Sequence, residues 1–291
     1  MSFEEQMTFI HLKGGYHLAL FQYDSAFTSF SRLADLAEVV DEPYWRAEAA
    51  FQQGSVLSGQ GKLGEAQEKL ITALAFFESE GLIEKQADTY VEIGVVLRRS
   101  KDLQGVKNLK ESKELFKKAI AMSSEPHYKA LSSLAVAYEN ENHLESALVI
   151  NQRLNRIFDR SKDKRGLFNS YENMAIVFEK LGQGDSMIYY YTAAVEMAKV
   201  LDYTKGLAGV YHNLVRAHFI LSNYTASQAY LDSAYEKAEE SNSLEIFTKL
   251  KGDEAYISQL KKEYKKAAIL YEQFFILKDS LNAQKQAELV Q

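Results

Sequence analysis

Apolar residues recur along this chain at i, i+3, i+4 and i+7, the spacing that gathers one face of a helix. The runs are interrupted at "SGQGKLG" (58–64), "ENENHL" (139–144), "KLGQGD" (180–185) and "LSNY" (221–224). These stretches carry the Gly and Asn that stop helices. Pro43 and Pro126 stand where a helix would begin, the one helical place that suits proline. The pattern predicts helices in pairs, a helix A and a helix B joined by a turn. The expected fold class is all-α.

The pairs repeat. A small residue in helix A recurs at Gly14, Gly54, Gly94, Ala135, Ala175, Val215 and Ala255, in steps of 40, 40, 41, 40, 40 and 40. A second series lies twelve residues further on, at Ala26, Ala66, Ala147, Met187, Ser227 and Ala267. The third repeat joins it only if Ser112 takes that place, which implies about six extra residues in its turn. Four residues later come large side chains, among them Phe30, Leu70, Phe116, Tyr191, Leu231 and Tyr271. Small residues let two helices approach, and large ones fill the gap. One pair cannot bury its own apolar face, so stacked neighbours must do it.

The segment "FQQGSVLSGQGKLGEAQEKLITALAFF" (51–77) carries Gly54, Leu57, Gly61, Leu63, Ala66, Leu70 and Ala73 in the order of the tetratricopeptide repeat. The chain resembles that family over essentially its full length. The period is 40 rather than the usual 34. In this it is similar to kinesin light chains and bacterial peptide-sensing regulators. HEAT and armadillo repeats share the period and are the rival fold; the Ala-x3-large-x2-Ala pattern of helix B favours the tetratricopeptide reading. Lys13, Gln53, Lys251 and Glu254 depart from the family's apolar preference. The resemblance implies a right-handed superhelical solenoid of about seven repeats, at 7–42, 47–80, 87–123, 128–160, 168–201, 208–241 and 248–281. Residues 282–291 form a helical extension of a single repeat domain spanning 1–291.

Composition narrows the function. A net charge of -6 offers no basic stripe for nucleic acid or an anionic membrane. Six histidines form no HExxH, and with no cysteine the usual zinc patterns fail. No phosphate loop and no nucleophile–base pair is found, so no enzyme, metal or cofactor is expected. His17 and His218 take a repeat position elsewhere held by Leu, Tyr or Phe and read as packing residues. No apolar run is long enough to span a membrane, and the acidic start does not resemble a signal peptide. The expected location is the cytoplasm.

The expected function is binding of an extended peptide or a partner-protein segment. In the family it resembles, helices A line the concave groove. The residue two before the small position then faces it, reading Gln52, Glu92, Ser133, Asn173, Asn213 and Asp253. A carboxamide both donates and accepts, so one Asn can hold both the N–H and the C=O of a peptide backbone. The resemblance implies this role for Asn173 and Asn213, repeated in "YENMA" and "YHNLV". Arg98, Arg99, Lys129 and Arg216 are candidates for carboxylates; salt bridges to Glu92, Asp88 or Glu139 are their alternative. Asn140, Lys180 and Tyr256 complete the candidate contacts. The chaperone-tail clamp of Lys, Asn, Asn, Lys and Arg is not reproduced. Two other readings stay open. One is a sensory or regulatory array acting through its C-terminal helix, since "LKDSL" resembles the junction after such arrays. The other is dimerisation through the last helix or the tyrosines of "MIYYYTAAVEMA" (187–198), of which at least one must face outward. Leu270, Leu277, Leu281 and Leu289 are expected to carry a stripe into the extension.

Overall fold

The computed structural model describes residues 2–20, 22–100 and 105–290, with side chains undescribed at 105–107 and 284–290. Among them are fourteen α-helices and no strand. The chain divides into two compact units, Met1–Glu141 and Asn142–Gln291. The first holds α1 (Phe3–Ala19), α2 (Tyr23–Val39), α3 (Pro43–Gln60), α4 (Leu63–Ser79), α5 (Ile83–Arg99), α6 (Gly105–Met122) and α7 (Tyr128–Asn140). The second holds α8 (Leu144–Ser161), α9 (Lys164–Lys180), α10 (Gly184–Val200), α11 (Thr204–Ile220), α12 (Tyr224–Glu240), α13 (Leu244–Leu260) and α14 (Tyr264–Val290). Odd-numbered helices are the helices A.

The helices stop at a fixed pace. Asp41, Gly61, Gly81, Asn142, Lys162, Gly182, Asp202, Ser222, Asn242 and Lys262 all have positive φ, between 49 and 84°. Each follows a helix end and turns the chain through a left-handed residue. The next N–H then reaches back to the last turn, as Lys62 N donates to the Leu57 carbonyl (2.9 Å) and Tyr203 N to Ala198 (2.9 Å). Seven of the ten are not glycine. Short connections of this kind make successive helices antiparallel neighbours.

Within each unit, consecutive helices pack face to face, α1 on α2 through α6 on α7, and α8 on α9 through α13 on α14. In the first unit α1 also touches α3, α3 touches α5, and α5 touches α7. The small-residue series explains the closeness. A methyl placed on Gly14 would lie 2.5 Å from the Phe30 ring, on Gly54 2.6 Å from Leu70, and on Gly94 2.6 Å from Phe116. These are the small and large positions of one repeat locked together. Ser112 fills the small position of the third helix B, fully buried with Phe116 and Ala119, as the extra turn residues require. Ala26, Ala66, Ala147, Ala175 and Ala194 are likewise fully buried.

The residues that break the family's pattern have local causes. Gln53 is buried and donates to Ser31 Oγ (3.1 Å), so a polar side chain serves where an apolar one is usual. Glu254 accepts from Tyr235 Oη (2.9 Å) and pairs with Lys251 and Lys266. Lys251 lies over the Tyr235 ring at 4.7 Å. Lys13 is exposed on α1. Of the three tyrosines in α10, Tyr191 is buried, Tyr190 stacks on Phe178 and Tyr189 is exposed. His218 stacks on Tyr230, 5.2 Å between ring centres, and His17 Nδ1 meets Gln22 Oε1 at 2.7 Å. Along α14, Leu270 is buried and Leu277 and Leu281 half-buried, while the Leu289 side chain lies outside the described residues.

Candidate functional site

In the first unit the helix-A face is cross-linked by its own side chains. Its centre is Glu48 on α3, whose side chain is 2% exposed. The carboxylate meets His11 Nε2 of α1 (3.1 Å), Lys85 Nζ of α5 (2.6 Å) and Gln52 Nε2 (3.0 Å). Burial alone would raise the Glu48 pKa, but the hydrogen bonds from His11, Lys85 and Gln52 outweigh it and hold the pKa at about 2. Three successive helices A are thereby tied to one anion. The sequence reading did not single out this cluster. Its signal was an acid followed 37 residues later by a base, which returns as Glu92 and Lys129.

The first unit's candidate contacts sit in this frame. Lys129 pairs with Glu92, and His127 lies 3.3 Å from Asp88. Arg99 donates to the Ser58 carbonyl at the end of α3 (2.5 Å) and approaches Ser58 Oγ at 3.3 Å. Arg98 is half-buried, and its Nε has no hydrogen-bond partner among the described residues. Burial lowers its pKa, Arg99 adds to the effect, and Glu139 opposes it. Asn140 is exposed at the end of α7. A cavity of about 550 Å³ opens beside this group, with Tyr23 and Phe51 on its apolar side and Glu92, Arg99 and Lys129 on its polar side.

The second unit is arranged differently. Asn173 on α9 and Asn213 on α11 are half-buried, and neither carboxamide has a hydrogen bond among the described residues. The flanking side chains fix their helices. Met174 and Ala175 are buried on one side of Asn173, as Leu214 and Val215 are beside Asn213, in the apolar clusters that bind α9 to α12. Glu172 also lacks an ion pair or hydrogen bond among the described residues, and burial raises its pKa to about 7. Glu179 accepts from Tyr191 Oη (3.3 Å) and lies 3.6 Å from Arg216, linking α9, α10 and α11. Arg216 keeps about half of its side chain exposed, and Lys180 is exposed at the end of α9. On α13, Asp253 lies 2.8 Å from His212 Nε2. Tyr256 is exposed and meets the Phe219 ring at 5.7 Å.

The ladder expected from sequence therefore divides. Gln52 lies 3.3 Å from His11 Nε2 of α1, Glu92 pairs with Lys129 of α7 and Asp253 lies beside His212 of α11, whereas neither asparagine has a hydrogen bond among the described residues. Among the described residues no group of three or more His, Cys, Asp or Glu is placed to hold a metal ion. No helix among them is long and apolar enough to cross a membrane.

Neither a family model nor a curated protein sequence matches the chain. Solved structures do. A Rap protein complexed with competence and sporulation factor superposes with a TM-score of 0.70 at 15% identity, covering 98% of this chain and 77% of the other. The Rap conjugation gene regulator of plasmid pLS20, complexed with the Phr* peptide, gives 0.70 at 15% identity over 97% and 76%. A tetratricopeptide repeat protein from Parabacteroides merdae gives 0.62 at 12% identity over 99% and 100%. At such identities the likeness is one of fold, and the fold is an all-α array of seven helix pairs of the tetratricopeptide type.

Proposed function

We propose that this chain is a non-catalytic scaffold that holds an extended peptide or partner segment against helices α9 and α11 through Asn173 and Asn213. The observation that carries this reading is the pair of half-buried carboxamides, one repeat apart and without partners among the described residues. Both carboxamides remain open to solvent; a peptide backbone would supply a donor and an acceptor to each. Arg216 stands beside them with one weak internal contact, free to take up a carboxylate of the ligand. Two solved neighbours of this fold are complexes with a peptide or factor, which supports the same reading.

The test is selection of random peptides on the purified chain, repeated on Asn173→Ala/Asn213→Ala. Truncating both amides should cost about 1–3 kcal/mol, or roughly ten- to a hundredfold in affinity. Peptides that bind the wild-type chain and fail on the double variant support the proposal. Failure to select any peptide, or equal binding by both proteins, contradicts it. A regulatory role through the C-terminal helix is a second reading, favoured by the 27-residue length of α14 against 17 or 18 for most other helices.

A further inference from the structure

One contact recurs between successive helices A. His11 Nε2 on α1 lies 3.3 Å from Gln52 Nε2 on α3, and His212 Nε2 on α11 lies 2.8 Å from Asp253 Oδ2 on α13. Both pairs join residues 41 apart, three before the small position of one repeat and two before that of the next. The same step in the same register runs from Glu172 on α9 to Asn213 on α11. Here neither side chain has a partner among the described residues. A contact that is closed at α1–α3 and at α11–α13 is open at α9–α11.

Glu172 is unlike the other carboxylates on α9, α11 and α13, which all meet bases. Glu179 lies 3.6 Å from Arg216, Glu245 2.8 Å from Lys249 and Asp253 2.8 Å from His212, while Glu254 meets Lys251 and Lys266. The titratable groups of the surrounding helices point elsewhere. On α11, Arg216 points to Glu179 and His212 to Asp253; on α10, Tyr191 donates to Glu179. Burial alone raises the Glu172 pKa to about 7, with no charge on α8, α10 or α11 contributing. The carboxyl is half-buried, yet its oxygens stay within reach of solvent.

Two acceptors in one register call for a donor between them. The Asn213 Oδ1 has two lone pairs, so it can take a second N–H beside that of a peptide backbone. An ammonium or guanidinium brings several donors and the positive charge that a carboxylate taken partly out of water requires. A neutral ligand would bury Glu172 further and leave it unpaired.

We propose that the segment held by Asn173 and Asn213 carries a lysine or arginine whose cationic head seats between Glu172 and Asn213. The inference rests on the peptide reading above and adds the charge that the peptide must bring to α9.

The experiment selects N-acetylated random peptides, whose only cations are side chains, on wild type, Glu172→Gln and Glu172→Lys. The wild-type pool should be enriched in lysine or arginine at one position. The Gln pool should lose that enrichment, and the Lys pool should replace it with aspartate or glutamate. A selected lysine peptide should bind Glu172→Gln about ten- to thirtyfold more weakly. Its norleucine analogue should bind both proteins alike, since the cycle then has no pair left to break. The lysine peptide should also displace the Glu172 proton, so its affinity for wild type should rise about tenfold between about pH 6 and 8 and stay level for Glu172→Gln. A wild-type pool that needs Asn173 and Asn213 but shows no basic enrichment overturns this inference alone. So does an enrichment that survives Glu172→Gln. Basic enrichment that appears only at a free amino terminus, in a parallel library without the acetyl group, overturns the side-chain assignment. A pool indifferent to Asn173→Ala/Asn213→Ala removes the peptide reading and this inference with it.

Discussion

Two glutamates on helices A, Glu48 in the first unit and Glu172 in the second, have opposite fates. Glu48 is surrounded by His11, Gln52 and Lys85 and holds its proton only below about pH 2. Glu172 meets no ion pair or hydrogen bond among the described residues, and burial holds its proton to about pH 7. The same repeat architecture therefore makes one helix-A face a set of internal ties and leaves the other with unused polar groups. Polar residues on the helix-A faces are thus not all left open. Those spaced to meet a complementary residue on the next helix A, as Glu48 meets Lys85 and Glu92 meets Lys129, are taken by the fold.

The largest effect should come from breaking the first unit's centre. Glu48→Ala removes the acceptor shared by three helices and should cost about 3–5 kcal/mol, seen in urea unfolding at pH 7. The same group sets an acid limit. Its folded pKa lies below the unfolded value, so its contribution is fully present above about pH 4.5. It fades as pH falls from there toward 2. Melting temperatures across that window should drop more steeply in the wild type than in Glu48→Gln; parallel curves would remove the cluster from the account.

Glu172 should behave with the opposite sign. Its folded pKa is raised, so the folded chain binds more protons than the unfolded chain between about pH 4.5 and 7. Stability should decline as pH rises through that interval. Glu172→Gln should remove this slope and stabilise the chain by ~1–3 kcal/mol at pH 8. A variant no more stable than wild type at pH 8 would mean that Glu172 is satisfied in solution and that the contrast with Glu48 is false.

Much of the first unit was legible in the sequence. The 40-residue register located Gly14, Gly54 and Gly94 opposite Phe30, Leu70 and Phe116, because a small residue facing a large one is a purely local pattern. It placed Ser112 correctly across the irregular third turn. The hydrogen-bond partners of the ladder residues were not legible, because they lie about 40 residues away and depend on how neighbouring helices abut. Arg99 reads from sequence as a partner for a carboxylate, of a ligand or of Glu92, Asp88 or Glu139, yet its guanidinium donates to the carbonyl of Ser58. Gln53 looks misplaced until Ser31 is seen beside it.

The smallest effects belong to the turns. Ser222 and Lys262 adopt positive φ, which side-chain-bearing residues resist and glycine does not. Ser222→Gly and Lys262→Gly should each raise stability by about 0.5–1 kcal/mol in thermal melts. A loss of stability would show that these side chains do more than turn the chain.

The central claim is that peptide recognition belongs to the open asparagines of the second unit rather than to the tied residues of the first. The direct measurement is calorimetric titration of one selected peptide into three proteins: wild type, Asn173→Ala/Asn213→Ala, and Glu92→Gln/Lys129→Met. The account predicts about a ten- to hundredfold loss of affinity in the asparagine variant. It predicts less than about a threefold change in the other, since that pair serves the fold. Loss confined to the Glu92/Lys129 variant, with the asparagine variant binding as the wild type, would contradict it.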